Sequence, residues 1–287
     1  MTAVSLPTVR QELHADKAPI GRLLRSELSW VFRRPRTWIS LVLLALVPVV
    51  IAIGIQVGGG PRGGPRGGSL YSSVIGNGFV LPVVALTASL ALLLPLVAAM
   101  WSADAIAGES ANGTLRGLLI APLSRIRLLT VKAFGVAVAV LAACVLIVVV
   151  GTITGLIVVG SQGMITLSGT TLSGGAALAR LAIAAGWVAV QVWAVGAIAL
   201  AISTFTEHPL VVLASTIAGA IVFGVLSTIP ALSFMQPYLL TNSWGALTDV
   251  LRDPMPTAGL VHGLAEAGCY LVIGLSVAAA RMMTRDG

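Results

Sequence analysis

Six long apolar runs divide the chain: Trp38–Val57, Phe79–Trp101, Ala133–Val159, Ala176–Thr204, Pro209–Ile229 and Ala258–Ala280. Each is long enough to cross the hydrocarbon core of a bilayer as a helix, which takes roughly 17–25 residues. The pattern predicts an all-α polytopic fold with six transmembrane helices. Pro48, Pro82 and Pro95 fall inside these runs, where a missing N–H bends a helix. Ahead of the first run, Ile20, Leu23, Leu24, Leu28 and Val31 recur at helical spacing, with Arg22, Arg25, Ser26 and Ser29 on the other side. That stripe predicts an amphipathic helix in the membrane interface, with its arginines toward anionic headgroups. Pro19 suits its start, and Arg33–Arg36 (RRPR) turns the chain into the bilayer. The organisation expected is a flexible polar tail over 1–18, an interface helix and linker over 19–36, and one six-span domain over 37–287.

Composition then fixes the class of protein. Hydrophobic residues make up 57% of the chain and charged residues 9%, against about 25% charged in a soluble domain; the mean hydropathy is +1.01. A soluble fold this apolar could not cover its own surface. The net charge of +7 lies in no compact basic domain, so nucleic acid is excluded as a partner. Its distribution sets an orientation instead. Thirteen basic residues fall before the first span, between the second and third, or after the sixth; four (Arg62, Arg66, Arg180 and Arg252) fall on the other side. The positive-inside rule places both termini in the cytoplasm of a cell inner membrane. The first apolar run is longer than a signal-peptide core and follows seven basic residues, so no cleavable signal is expected.

The loops expected outside are sparse. Gly58–Gly68 repeats PRGG and lacks the GK[ST] ending of a phosphate cradle. Residues 160–175 read as a polar loop. The external loop over 230–257 mixes apolar and aromatic residues, which fits short helices at or dipping into the outer leaflet, or a plain structured loop.

Candidate chemistry is thin. His14, His208 and His262 are dispersed, and no HExxH, Walker A sequence or reliable Ser–His–Asp spacing occurs. Cys144 and Cys269 sit in apolar runs, as packing residues do. The chain is not expected to be an enzyme or to bind a metal or cofactor; energy for uphill work must come from another chain or an ion gradient. Two polar residues stand inside spans. Gln191, flanked by Gly186, Trp187, Trp193 and Gly196, wants a partner across a close helix contact. Glu266 lies about 12–13 Å along the sixth run, near mid-bilayer. Either could form an interhelical pair or face a pathway.

The stretch between the second and third spans, 102–132, carries the most information. Trp101 suits the membrane boundary, and Asp104 and Glu109 are expected to meet the cytosol. Asn112–Thr114 reads as a turn, and Leu115, Leu118 and Leu119 form the apolar face of a short helix closed by Pro122. Ser124 is placed to cap the next helix. Arg125, Arg127 and Lys132 are expected to anchor the return to the bilayer. Three leucines on so short a helix need cover, from the membrane surface or from a partner protein.

This stretch, Asp104–Lys132, resembles the cytoplasmic loop of ABC-2 type permeases, the membrane subunits of bacterial ABC transporters. The resemblance rests on Asp104, the AGE element (Ala107–Glu109), GTL (Gly113–Leu115), PLSR (Pro122–Arg125) and Lys132. It implies a permease paired with a second, identical chain and clamped by two cytosolic ATPase subunits. ATP and Mg would be held by the ATPases. It further implies a coupling helix over Gly113–Pro122, with Asp104, Glu109, Gly113, Thr114, Leu115, Arg116, Leu118, Leu119, Pro122 and Arg125 as the ATPase-coupling set. The apolar spans favour export of a lipophilic or amphipathic small molecule or lipid. Two other classes fit the same spans: an ion-coupled secondary carrier, and a non-transporting membrane anchor or assembly protein.

Overall fold

The structure is a computed structural model that describes residues 20–57, 77–111, 124–160 and 163–284. Its helices are α1 (Ile20–Arg33), α2 (Pro35–Val57), α3 (Leu81–Ala91), α4 (Leu93–Ala105), α5 (Ala107–Ala111), α6 (Arg125–Val158), α7 (Gly174–Ser203), α8 (Pro209–Leu226), α9 (Leu240–Ser243) and α10 (Ala258–Thr284). Five of them are long and apolar enough to cross a membrane, and α3 with α4 makes a sixth span bent by 57°. The bend has a cause in the sequence. Pro95 has no N–H to give the carbonyl of Ala91 and its ring crowds that carbonyl, and the helix breaks at Leu92, where φ is −150°. Pro48 stays within α2.

Among the five unbroken spans, α7 is the most extensively buried. Its alanines and glycines let neighbours approach closely, which is how helices pack when lipid offers no hydrophobic drive. Gly196 shows this: the Ser102 hydroxyl donates to its carbonyl at 3.0 Å. Gly274 of α10 is tighter, since a Cβ there would lie 2.8 Å from the backbone of Ala197. Gly186 makes no such contact. It faces a cavity of about 230 Å³ between α6 and α7. The outward faces are strongly apolar; Val42, Leu43, Val50, Ile157, Leu210, Val272 and Ile273 are all exposed. In water such a surface would aggregate; in a bilayer it is the solvated face.

At one end of the bundle the expected polar loop 160–175 contains a two-stranded antiparallel hairpin, β1 (Met164–Ile165) and β2 (Thr171–Leu172). The backbone needs φ +83° at Gly169 to turn it. The hairpin is tied to the segment before α10. Leu167 N donates to Leu251 O at 2.8 Å, Thr170 Oγ1 to Asp253 at 3.0 Å, and Arg180 Nη2 pairs with Asp253 at 2.8 Å. Between α8 and α10 the chain forms α9 and three 3₁₀ turns (Pro230–Leu232, Gln236–Tyr238 and Trp244–Leu251). Leu240, Ser243, Leu247, Val250 and Leu251 are buried against the bundle, so this segment is packed into the helices.

Candidate coupling site

At the opposite end, α1 lies against the start of α6. The sequence gives α1 an apolar stripe; Leu23, Leu24, Leu28 and Val31 are partly covered, as are Trp30 and Phe32, while Ile20 at the start of the stripe is exposed. The most buried residue of α1, however, is Glu27, at 8% exposure. It sits on the stripe because it falls four residues after Leu23 and four before Val31. Facing it is Lys132, 4% exposed, about two turns inside α6. Lys132 Nζ reaches Glu27 Oε1 and Oε2 at 3.0 and 2.9 Å and Glu109 Oε1 at 2.5 Å. The Trp30 ring covers the ammonium, its centroid 4.3 Å away. Burial pushes the Glu27 carboxyl above its usual range, and the Lys132 charge partly opposes this.

A second, wetter pair adjoins the first. Asp104 meets Arg34 at 3.3 Å and Arg36 at 3.5 Å, and the Arg34 guanidinium stacks 3.3 Å over the Trp30 ring. Burial lowers the Arg34 pKa, with Asp104, Glu109 and Glu27 opposing. The cluster therefore holds three carboxylates and three cations, drawn from α1, the α1–α2 linker, α2, α4, α5 and α6. Charge balance is what lets it exist at low dielectric, where an uncompensated charge costs several kcal/mol. It lines a small cavity of about 20 Å³ that also receives Trp101, room for about one water.

These contacts correct four expectations. Glu109 does not meet solvent; it is 5% exposed, because the helix carrying Asp104 continues through α5. Lys132 is no headgroup anchor, since both of its carboxylate partners are buried. Trp101 is 6% exposed and lines the charged cavity instead of joining an interfacial aromatic belt. Arg125 turns inward to the last span: its Nη1 donates to the carbonyls of Met282 and Met283 at 3.1 and 3.4 Å, satisfying carbonyls that the end of α10 leaves free. Ser124 caps α6 as expected, its Oγ accepting from Arg127 N at 3.4 Å.

Gly113, Thr114, Leu115, Arg116, Leu118, Leu119 and Pro122 lie outside the described residues. What the structure gives are the two stubs that carry them, α5 and the first turn of α6, joined through Lys132. Glu27, Trp30 and Arg34 were absent from the sequence-derived set. The signal for them was one acid on an apolar stripe in α1, and one lysine inside the apolar stretch Leu128–Ala133; two lone opposite charges on buried faces call for each other.

Gln191 and Glu266, read from the sequence as possible partners across helices, are not in this cluster. Glu266 pairs along its own helix with His262, Oε1 to Nε2 at 3.2 Å. Gln191 is fully buried, and neither of its amide atoms has a hydrogen-bond partner among the described residues. Cys144 is buried and Cys269 exposed on the outer face of α10; packing accounts for the first alone. Among the described residues no three His, Cys, Asp or Glu side chains group as metal ligands do.

The family model described as "ABC-2 family transporter protein" matches residues 22–250, a span that takes in all of α1 but its first two residues, the charged cluster and the whole stretch 102–132. No individual curated protein matches the chain.

Proposed function

This chain belongs to the ABC-2 transporter family, the transmembrane permease subunit of an ABC transporter, and from that premise we propose how it is coupled to its energy source. Separate ATPase subunits grip the segment Gly113–Pro122, and the ion cluster beneath it carries their motion into the spans. The observation that supports this reading is the position of Lys132. Its ammonium holds α5, which enters the segment, to α6, which leaves it, and both to α1. A displacement of the segment then has nowhere soft to dissipate: it moves α1, α4 and α6 together. Arg125 extends the same connection to the end of α10.

On this reading α1 lies along the cytoplasmic face of the inner membrane and both termini are cytoplasmic, in keeping with the distribution of basic residues. Two permease chains and two ATPases form the complex, and ATP and Mg stay with the ATPases. Leu115, Leu118 and Leu119 pack into an ATPase groove, with Asp104 and Glu109 acting from behind as part of the cluster and Arg116 at the rim. The cargo is a lipophilic or amphipathic molecule, moved outward by alternating access. Linkage makes the coupling reciprocal, so cargo that favours one permease state changes ATP turnover.

The test is Leu118→Asp. Burying a leucine contributes about 1.5–3 kcal/mol, and a charge in its place removes that and adds a desolvation penalty. ATPase recovered per permease should fall sharply, or substrate-stimulated ATP turnover in liposomes should be lost while the spans stay folded. Wild-type values for both would show that this segment is not the coupling contact.

A further inference from the structure

Around Gly263 of α10, three elements bring polar and aromatic groups to one spot inside the bundle. A Cβ at Gly263 would lie 2.8 Å from the Trp187 ring, 3.0 Å from Gln191 Nε2 and 3.3 Å from Ser243 Cβ. The missing side chain is therefore what lets the indole and the amide of α7 approach α10. The Trp187 N–H is already used, donating to Leu260 O at 2.9 Å, which fixes the ring. One turn along α10, the Glu266 side chain is 9% exposed and faces both Ser243 and His262. Its second oxygen and both Gln191 amide atoms are buried without hydrogen-bond partners among the described residues.

Glu266 lies about 12 Å along α10, where no bulk water relieves an unmet polar group. A packing role would have paired Gln191 across a helix; neither of its amide atoms has a hydrogen-bond partner among the described residues. His262, at 60% side-chain exposure, stands on the outer face as the one basic side chain paired with the carboxyl among the described residues. We infer that Gln191, Glu266 and the Trp187 ring form a binding site for an organic cation, an amphipath bearing an ammonium or amidinium group. The carboxylate takes the charge, the amide supplies a further acceptor, and the indole face suits a weakly hydrated cation. An inorganic ion fits poorly, because one carboxylate and one imidazole supply too few ligands. A proton alone would leave Gln191 unmet. His262 occupies the carboxylate in the resting arrangement and is displaced by the incoming cation.

This inference rests on the permease reading for its meaning, since it makes the cation a cargo, but its test is separate. The full complex with its co-purified ATPase is placed in nanodiscs. Ethidium, a planar cation that brightens in apolar surroundings, is titrated beside Nile red, an uncharged lipophilic dye. Saturable ethidium binding is expected. Glu266→Gln should weaken it at least about tenfold, the scale of a lost charge-assisted hydrogen bond, with Nile red unchanged. His262→Ala leaves the carboxyl in place, removes its competitor and should raise ethidium affinity a few-fold; it also serves if Glu266→Gln lowers folded yield. No saturable binding to the wild type, equal binding to Glu266→Gln, or unchanged or weaker binding to His262→Ala overturns the inference. ATPase recovered per permease in the same samples reports on the coupling reading alone.

Discussion

Lys132 and Glu266 are both charged residues of long apolar helices, and their surroundings differ in kind. Lys132 has two carboxylates within 3.0 Å and an aromatic ring over it. Glu266 has Ser243 and one imidazole of its own helix, the latter at 3.2 Å, and a nearby buried amide with no hydrogen-bond partner among the described residues. The first arrangement is what rigid transmission needs: every charge is compensated, so the elements it joins resist separation. The second is what a binding site needs, because groups already satisfied by the protein have little to offer a ligand. Sequence hydropathy treats both residues as blemishes in apolar runs. Only their partners separate a fastener from a receptor.

The largest effect that would break this comparison is at Lys132. Lys132→Met leaves Glu27 and Glu109 buried with no cation between them, and removing one partner of a buried pair costs about 3–5 kcal/mol. Folded yield and thermal midpoint in detergent should fall steeply. A double-mutant cycle with Glu27→Gln should show coupling of about 0.5–3 kcal/mol; additive losses would mean that the two side chains act independently.

Gln191→Leu probes the opposite region and should move stability the other way. It removes a buried amide whose desolvation, about 1–3 kcal/mol, no hydrogen bond among the described residues offsets. The thermal midpoint should hold or rise while ethidium binding weakens. A large loss of stability would show that Gln191 is a structural residue after all, and the contrast with Lys132 would disappear.

Asp104→Asn should have the smallest effect. Arg36 is 72% exposed and Arg34 28%, and solvent screens such pairs to under about 1 kcal/mol. The midpoint should shift little, and more so at low salt than at high salt. A loss approaching that of Lys132→Met would place Asp104 inside the buried knot and not at its margin.

The sequence by itself determined the membrane class, the six apolar segments, the amphipathic α1, the Ser124 cap and the family, and offered three prolines as bends, of which Pro95 lies at the break. These are local matters: hydropathy over a window, helical periodicity, the missing N–H of one proline, a hydroxyl three residues from an amide. The link between Asp104–Lys132 and the ABC-2 family was legible too, as a linked series of short motifs. The tertiary structure decided which buried charges meet. Glu27 and Lys132 are 105 residues apart, and whether they touch depends on how α1 is rotated and how far along α6 it docks. The same holds for Asp253 with Arg180, and for Gln191, whose amide faces Gly263 with no partner among the described residues. Rotation and register between helices arise from the packing of whole faces, so no window along the chain contains them.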